Sequence, residues 1–476
     1  MKSKNKKRIS CLIAGILTLS MVGGLCACGG NNGGKPDDGG KQDPFLGGDY
    51  VKAPEGMPDY SAHANESMMI GAWHSQGGMR YTFTAEELIA AKEAGIDFLI
   101  DYRIVRQNEK SNKANMEAIE AAGMKLFVSI AGLQYSDIAP GGDWDFVYEY
   151  LSKDYVLGIV VEDEPGTSTF AKHEESAAAF RKDFPDQLCY INFLPNYANA
   201  GQLGGQDLGV TFDKYVDQIS ESFESLTHYS YDFYPLAGQM SAGVVMNYTL
   251  NSLWCASLEK FANAAKADEK DLWVFIQSMS FGANNRSPQG KNDITLQNYI
   301  NMCYGARVLQ YFSYTTPDTN EFGEYDVGML DRDRQKTDNY DYVKAANEEL
   351  KTFDSVYLQF EWENVMPLVG TVFGDNLNSG FDMLKTHMTS SEYFTATANA
   401  DTVIGQFHDA NGYKGYMVAG LTDPMEDITD TVSMTFNANR VLVYTGGQSK
   451  VVEIPTGVYT FNLDAGGGAF LIPFNV

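Results

Sequence analysis

The sequence is poor in basic residues, and this shortage limits what the protein can bind. It has 35 Lys and Arg against 62 Asp and Glu, which gives a formal net charge of −27. An acidic surface of this kind repels phosphate backbones and anionic lipid surfaces. No basic stripe interleaved with aromatic residues is present, so we expect no nucleic-acid partner.

Several motifs that carry chemistry are also missing. The six histidines never fall at the spacing of metal ligands, and no His-Glu-x-x-His occurs. No predicted strand is followed by a dinucleotide-binding or phosphate-binding glycine loop, and no Gly-x-Ser-x-Gly elbow of an esterase is found. The segment Asp331-Arg-Asp-Arg-Gln335 lacks the glycine and the distal Glu of a calcium loop, and a solvated turn is the better interpretation. We therefore predict no metal and no cofactor.

Cysteines are few and show no paired spacing. Three of the six lie within the first 28 residues, and Cys189, Cys255 and Cys303 are scattered in apolar segments. An odd number of this kind in a chain large enough for a good core predicts buried free thiols rather than a disulfide framework.

Long apolar runs are absent after residue 25, but one precedes it. A lysine-rich start, an apolar stretch and small residues make residues 1–27 a secretory signal. Leu25-Cys-Ala-Cys28 resembles the lipobox of bacterial lipoproteins, which implies acylation of Cys28 and an anchor on the extracellular face of a bacterial membrane. A plain secreted protein is the alternative. Residues 28–58, rich in Gly and Asp, form a flexible tether, and loss of five signal cations changes the charge from −27 to −32.

Residues 59–360 alternate between strand-like and helix-like segments. Strands are predicted over 68–72, 98–102, 126–130, 157–161, 188–193, 228–233, 273–277 and 310–314. Helices are predicted over 85–94, 113–122, 144–151, 170–184, 212–223, 250–267, 296–307 and 340–353. Eight near-continuous apolar strands, each followed by a helix, predict an α/β fold of the (β/α)8 TIM-barrel type. An open, doubly wound sheet is the alternative.

The composition changes after residue 360. Short alternating strands separated by glycine-rich turns fill residues 361–476, and no helix of useful length is predicted there. This pattern predicts a small antiparallel β-sandwich domain.

The most informative segment runs from Gly158 to Pro165, at the end of the fourth strand. It reads Gly-Ile-Val-Val-Glu-Asp-Glu-Pro, so an apolar strand ends in three carboxylates and a proline that cannot continue the ladder. In a barrel this strand end belongs to the active-site face. We predict Glu164 as a general acid/base and Asp163 as its supporting residue, and leave Glu162 a structural role. A solvated acidic turn is the alternative.

Other strand ends supply aromatic, amide and acidic side chains. Aromatic rings stack on sugars, while amides and carboxylates bind hydroxyl groups, so this mixture suits an oligo- or polysaccharide. The predicted substrate-binding residues are Trp73, His74, Asp101, Tyr102, Asn192, Tyr234, Gln277 and Tyr314.

Glycoside hydrolysis needs a second carboxylate as nucleophile or base. Asp232, in Tyr231-Asp-Phe-Tyr-Pro235 at the end of the sixth strand, is the first choice. Asp101, Asp318 and Glu321 are the other candidates.

The barrel, the Asp163-Glu-Pro165 motif and the appended sandwich resemble the glycoside hydrolases of the large retaining barrel clan. Those enzymes usually have Asn-Glu-Pro at this point, with the Glu as acid/base and a second Glu, ending the seventh strand, as nucleophile. This chain has Asp163 in place of the Asn and Gln277 in place of the second Glu. It is more similar overall to glycoside-hydrolase-like lipoproteins of gut bacteria, which also pair Asp-Glu-Pro with Tyr-Asp-x-Tyr-Pro.

These features predict an extracellular, lipid-anchored glycoside hydrolase that touches the membrane only through its anchor. The rival hypothesis, favoured by Gln277, is a surface glycan-binding lipoprotein on a barrel that has lost hydrolysis. A solute-binding lipoprotein fits less well, because it would have two similar α/β lobes.

Overall fold

A closed barrel of eight parallel strands forms the centre of the protein. The computed structural model describes residues 50–51, 56–75, 81–101, 109–241, 244–280, 285–317, 326–375, 379–426 and 428–476. The barrel strands are β1 (Ile70–His74), β2 (Phe98–Asp101), β3 (Lys125–Ser129), β4 (Val156–Asp163), β5 (Leu188–Phe193), β6 (His228–Tyr231), β7 (Asp271–Gln277) and β8 (Ala306–Phe312). β8 pairs with β1 and closes the barrel, so the predicted TIM-barrel fold is confirmed and the open sheet is wrong.

Seven helices of nine residues or more lie in the described barrel region. They are α1 (Ala85–Glu93), α2 (Glu109–Ala122), α3 (Phe170–Asp183), α4 (Phe212–Ser222), α5 (Trp254–Ala267), α6 (Lys291–Cys303) and α7 (Asp338–Leu350). α1 shows how local sequence sets such boundaries: Thr84 and Glu87 form a reciprocal capping box at its start, and Gly95, with φ of +78°, follows its end.

Two segments differ from the sequence prediction. The helix expected over 144–151 is a 3₁₀ turn at Asp145–Val147 followed by a single turn at Tyr148–Leu151. Its alternating aromatic residues are weak helix formers, which accounts for the difference. A hairpin of strands Leu236–Ser241 and Val244–Leu250, absent from the prediction, lies between β6 and α5.

The C-terminal region is the predicted β-sandwich. Its strands are β9 (Phe360–Leu368), β10 (Phe394–Ala398), β11 (Thr402–Asp409), β12 (Lys414–Gly420), β13 (Asp430–Phe436), β14 (Arg440–Thr445), β15 (Gln448–Glu453), β16 (Val458–Leu463) and β17 (Gly468–Phe474). β10, β13 and β16 form a three-stranded antiparallel sheet. The other six strands and the short strand Tyr50–Val51, which pairs with β15, form a seven-stranded sheet. Strand pairing thus reaches into the segment assigned to the tether.

The seven-stranded sheet buries both of its faces. Along β12, Tyr416 and Val418 pack into the core between the two sheets, whereas Met417 and Ala419 belong to the core of the barrel and its helices. This alternation follows from the two-residue period of a strand. From β17, Phe470 lies 5.8 Å from the ring of Tyr357, so the sheet and the barrel share one continuous core.

Two further expectations concern thiols and membrane contact. Cys189, Cys255 and Cys303 are buried and unpaired, as predicted. Among the helices in the described ranges, none is long and apolar enough to cross a membrane.

Candidate active site

A β-bulge near the end of β4 makes the neighbouring acidic side chains of this segment point to different faces of the barrel wall. Val160 pairs with Tyr190 of β5, but the next pairs are Glu162 with Ile191 and Asp163 with Asn192, so β4 has one extra residue at this point. Bulges re-aim side chains in this way. Glu162 accepts a hydrogen bond from the backbone N of Gly132 at 3.1 Å, outside the barrel interior. Asp163 instead hydrogen-bonds Asn192, on the interior face of β5.

Glu164 has an unusual backbone conformation for a residue with a side chain. Its φ is +51°, in the left-handed region that costs L-residues about 1–2 kcal/mol. Two contacts hold it there: its N donates to the carbonyl of Asn192 at 2.8 Å, and the Tyr215 hydroxyl donates to the carbonyl of Pro165 at 2.8 Å. Such conformations occur most often where function requires a side chain in a particular place. Glu164 as a whole residue is exposed to solvent.

Asp163, Glu164 and Asp232 form what we call the acidic cluster. The carboxyl groups of Glu164 and Asp232 lie within hydrogen-bonding reach of each other. Asn192 Nδ2 donates to Asp232 Oδ1 at 2.9 Å, and Asn192 also hydrogen-bonds Asp163. Asn192 Oδ1 in turn accepts from Ser230 Oγ at 3.2 Å. The cluster therefore joins the ends of β4, β5 and β6 through one amide side chain.

Burial and mutual repulsion raise the proton affinity of the acidic cluster. Burial, followed by the charges of Glu164 and Glu162, raises the pKa of Asp163 to about 8 against the opposing hydrogen bond from Asn192. Glu164 is exposed as a whole residue, but its carboxyl group is enclosed beside Asp232, and this loss of hydration raises its pKa against the opposing hydrogen bond with Asp232. Burial, then the charges of Glu164 and Asp163, raises the pKa of Asp232 well above its usual value. Groups this close titrate together, so the cluster retains protons at neutral pH.

Tyrosines surround the acidic cluster. Burial, together with the charge of Asp232, raises the pKa values of Tyr190, Tyr197, Tyr215 and Tyr234 well above the usual range. Tyr197 keeps 44% of its surface exposed, and its ring lies 5.2 Å from that of Phe233. Solvent therefore reaches part of the Tyr197 residue, while its hydroxyl group is enclosed enough for burial to raise its pKa.

Three of these tyrosines were absent from the predicted site. Tyr190 lies two residues before Asn192 on β5 and hence on the same face, which was a usable signal. Tyr197 follows the end of β5 closely enough to have been included. Tyr215 lies on α4, where no local pattern marks it.

Trp73, Asn192 and Tyr234 lie at the same end of the barrel as the acidic cluster. Trp73 and Tyr234 are partly buried and pack over the apolar core inside the barrel. The Trp73 ring lies 6.2 Å from that of Phe275, and the Tyr234 ring lies 5.5 Å from that of Phe312. The structure thus brings three of the predicted substrate-binding residues together.

His74 and Asp101 lie in a network behind the barrel wall. His74 Nε2 is 2.8 Å from Glu87 Oε1 and 3.3 Å from the Tyr81 hydroxyl, while His74 Nδ1 is 3.6 Å from Asp101 Oδ2. His74 and Asp101 are fully buried. The predicted substrate contact of these two residues is corrected: adjacent side chains of a strand point to opposite faces, and His74 faces the helices while Trp73 faces the interior.

Tyr314, like His74, lies between the barrel strands and α1. It is fully buried, its hydroxyl donates to the backbone carbonyl of Glu87, and its N donates to the carbonyl of Trp73 at 2.8 Å. Its predicted substrate contact is therefore also corrected, because its polar groups hold α1 and the end of β1 in place.

Gln277 is fully buried, and protein partners occupy its amide. Its Oε1 accepts from the N of Leu236 at 2.9 Å. Its Nε2 donates to the carbonyl of Arg286 at 2.7 Å and to Asn285 Oδ1 at 2.8 Å. The predicted substrate contact of Gln277 is therefore corrected: its amide joins the loop that follows β6 to the loop that follows β7.

The remaining predicted residues lie elsewhere. Tyr102, Asp318, Glu321 and the lipidation candidate Cys28 fall outside the described residues. Within the described ranges, no group of three or more His, Cys, Asp or Glu side chains is arranged to hold a metal ion.

Comparison with known proteins assigns this chain to no family. No family model matches it, and no curated protein matches it. A β-galactosidase from the psychrophilic Marinomonas ef1 aligns with 10% identity and a TM-score of 0.41, over 61% of this chain and 60% of its own. A family 5 glycoside hydrolase from Bacteroides vulgatus aligns with 10% identity and a TM-score of 0.42, over 86% of this chain and 89% of its own. A glucosidase from Croceicoccus marinus aligns with 9% identity and a TM-score of 0.38, over 87% of this chain and all of its own.

Proposed function

We propose that the protein is a glycoside hydrolase that cleaves a glycosidic bond in a largely neutral glycan. The observation that carries the proposal is the acidic cluster at the carboxyl ends of β4 and β6, in which a solvent-exposed Glu164 lies against the buried Asp232. A carboxyl group that keeps its proton near neutral pH can donate it to a leaving oxygen.

Glu164 is the proposed general acid, because it is the most exposed carboxyl group of the cluster. Its proton passes to the glycosidic oxygen as the bond to the anomeric carbon breaks, and that carbon gains oxocarbenium character. We expect the rings of Trp73, Tyr197 and Tyr234, which lie near the acidic cluster, to contact the sugar.

Asp232 suits a supporting role better than the predicted role of second carboxylate. Retaining enzymes separate their two carboxyl groups by about 5–5.5 Å and inverting enzymes by about 6.5–9.5 Å. Glu164 and Asp232 contact each other through a hydrogen bond, so neither a sugar ring nor a water molecule fits between their carboxyl oxygens. We therefore propose that Asp232 controls the proton of Glu164 and that another group activates or replaces the attacking water. Asp318 and Glu321, which follow β8, are our candidates for it.

The test compares Glu164→Gln with Glu162→Gln as a matched control. Both changes remove one carboxylate from the same segment, but Glu162 faces away from the barrel interior. On a panel of neutral glycans we expect Glu164→Gln to lower the release of reducing ends by roughly 10²–10⁴ and Glu162→Gln to lower it far less. Turnover within about tenfold of wild type for Glu164→Gln would contradict the assignment.

The second candidate function is glycan binding without hydrolysis. It is favoured by Gln277, which stands where the resembling clan has its nucleophile and whose amide is occupied by protein. Tight binding of a glycan with no new reducing ends would support this function and refute the first.

We further propose that Cys28 is acylated and anchors the protein to the extracellular face of a bacterial membrane. The supporting observation is the lipobox-like segment ending at Cys28. Labelling with radioactive palmitate in the producing cell should be lost in Cys28→Ser. Retained label in that variant would exclude this anchor.

A further inference from the structure

One buried arginine connects the C-terminal sandwich to the loops beside the acidic cluster. Arg286, only 2% exposed, follows β7. Its Nη2 donates to Asp423 Oδ1 and Oδ2 at 2.9 and 3.0 Å and to Asp293 Oδ1 at 2.8 Å. Asp423 lies between β12 and β13 of the sandwich, Asp293 lies in α6, and both are buried.

The backbone of Arg286 continues this connection toward the active-site end. Its N donates to the carbonyl of Leu236 at 3.0 Å, and its carbonyl accepts from Gln277 Nε2 at 2.7 Å. Gln277 Oε1 in turn accepts from the N of Leu236 at 2.9 Å. Both backbone groups of Leu236 are therefore fixed, one by Arg286 and one by Gln277.

Leu236 follows the segment that carries the site residues of β6. A single residue separates Asp232 from Tyr234 and Tyr234 from Leu236, and the second of these residues is Pro235, whose φ is fixed by its ring. Because Leu236 is fully buried and fixed at both backbone groups, the chain from Asp232 onward has little room to move.

A buried ion cluster is weak evidence for stability, because removing charges from water offsets much of their attraction. Fixing one arrangement of the chain is the better attested use of such groups. Arg286 binds two carboxylates at once through a single guanidinium nitrogen, Nη2, and these charge-assisted contacts fix Asp293 and Asp423 relative to each other.

We propose that Asp423 is a positioning residue for the acidic cluster, acting through Arg286 and Gln277 on Asp232. Gln277, which ends β7, then has the role of fixing the neighbouring loop and not the role of a nucleophile. This proposal depends on the proposed function, because it takes the acidic cluster to be the group that carries out the chemistry.

The test uses the full-length protein with Asp423→Asn, the conservative Asp423→Glu, and Glu259→Gln as control. Glu259 on α5 also joins the barrel to the C-terminal region, accepting from the N of Lys385 at 2.8 Å and of Thr386 at 2.9 Å, but it does not contact Arg286 or Gln277. Infrared difference spectra over a pH titration report protonated carboxyl groups without any substrate. The band of the cluster is assigned by its loss in Asp232→Asn, which separates it from Asp430, whose pKa burial raises to about 7.

We expect Asp423→Asn to shift the cluster titration by at least about half a pH unit and to lower turnover about tenfold or more, since small displacements of reacting groups are costly. Asp423→Glu should restore part of both effects, and Glu259→Gln should change neither. If Asp423→Asn does not fold, Arg286→Lys is titrated in its place, because lysine keeps the positive charge on a side chain of different length and shape and so displaces the contacts with Asp293 and Asp423.

Two results would separate this proposal from the proposed function. An unchanged cluster titration in the folded Asp423 or Arg286 variant would overturn the positioning role and leave the glycosidase proposal standing. Absence of any protonated cluster band at neutral pH in the wild-type protein would instead overturn the proposed general acid.

Discussion

The substitution Asp163→Asn tests the raised pKa of Asp163, and the test needs no substrate. In the folded protein the pKa of Asp163 is about 8, raised from 3.8 mainly by burial and by Glu164. Between these two pH values the folded state keeps a proton that the unfolded state releases. Stability contributed by this proton is therefore complete below about pH 4 and falls as the pH rises toward 8, by at most about 1.4 kcal/mol per pH unit.

The asparagine variant lacks this titrating group, so its stability should depend less on pH. From pH 5 to 8 the upper limit of the difference between the two proteins is about 4 kcal/mol. Because solvent reaches part of the Asp163 side chain, we expect about 2 kcal/mol. The assay is urea unfolding at pH 5, 6, 7 and 8, with Glu162→Gln as control because Glu162 contributes least to the shift. Parallel stability curves for the wild-type and asparagine proteins would refute the reasoning.

Two further predictions address the backbone of Glu164 and the exposed ring of Tyr197. Because a φ of +51° is unfavourable for any residue with a Cβ, Glu164→Gly should be more stable than Glu164→Ala by about 0.5–1 kcal/mol in urea unfolding, and a more stable alanine variant would exclude backbone strain. Tyr197→Ala, made in a Glu164→Gln background, should weaken glycan binding roughly 2- to 10-fold by calorimetry while Tyr197→Phe keeps it, and unchanged binding would remove this ring from the site.

The barrel was predictable because each of its strands is buried on both faces. Such strands read as continuous apolar segments, and β5 was predicted with its observed bounds. The hairpin after β6 was missed because its strands lie outside the barrel repeat. The start of α1 was predicted at its observed position, where Thr84 and Glu87 form a capping box, whereas α6 was predicted over 296–307 and begins at Lys291, where no side chain caps the helix.

The site was predictable only in part. The sequence shows which residues lie at the carboxyl end of a strand, but not whether their side chains face the barrel interior or the helices. Asp163, Glu164 and Asp232 come together as a group, as their positions at strand ends suggested. His74 and Asp101 were misplaced, because the side chains facing the helices occupy the same strand ends as those facing the interior. The bulge in β4 could not be inferred, since one extra residue in a strand leaves no mark on its composition.

The seven-stranded sheet, buried on both faces, also bears on how the chain can be divided. A boundary at residue 360 is a sensible place to separate two folds in a sequence, yet Met417 and Phe470 belong to the core of the barrel. The sandwich therefore shares a hydrophobic core with the barrel and its helices, and is not a module attached at the barrel surface. A related protein that exchanged this region for another would also have to exchange the apolar surface of α6 and the rings of Phe353 and Tyr357 that follow α7.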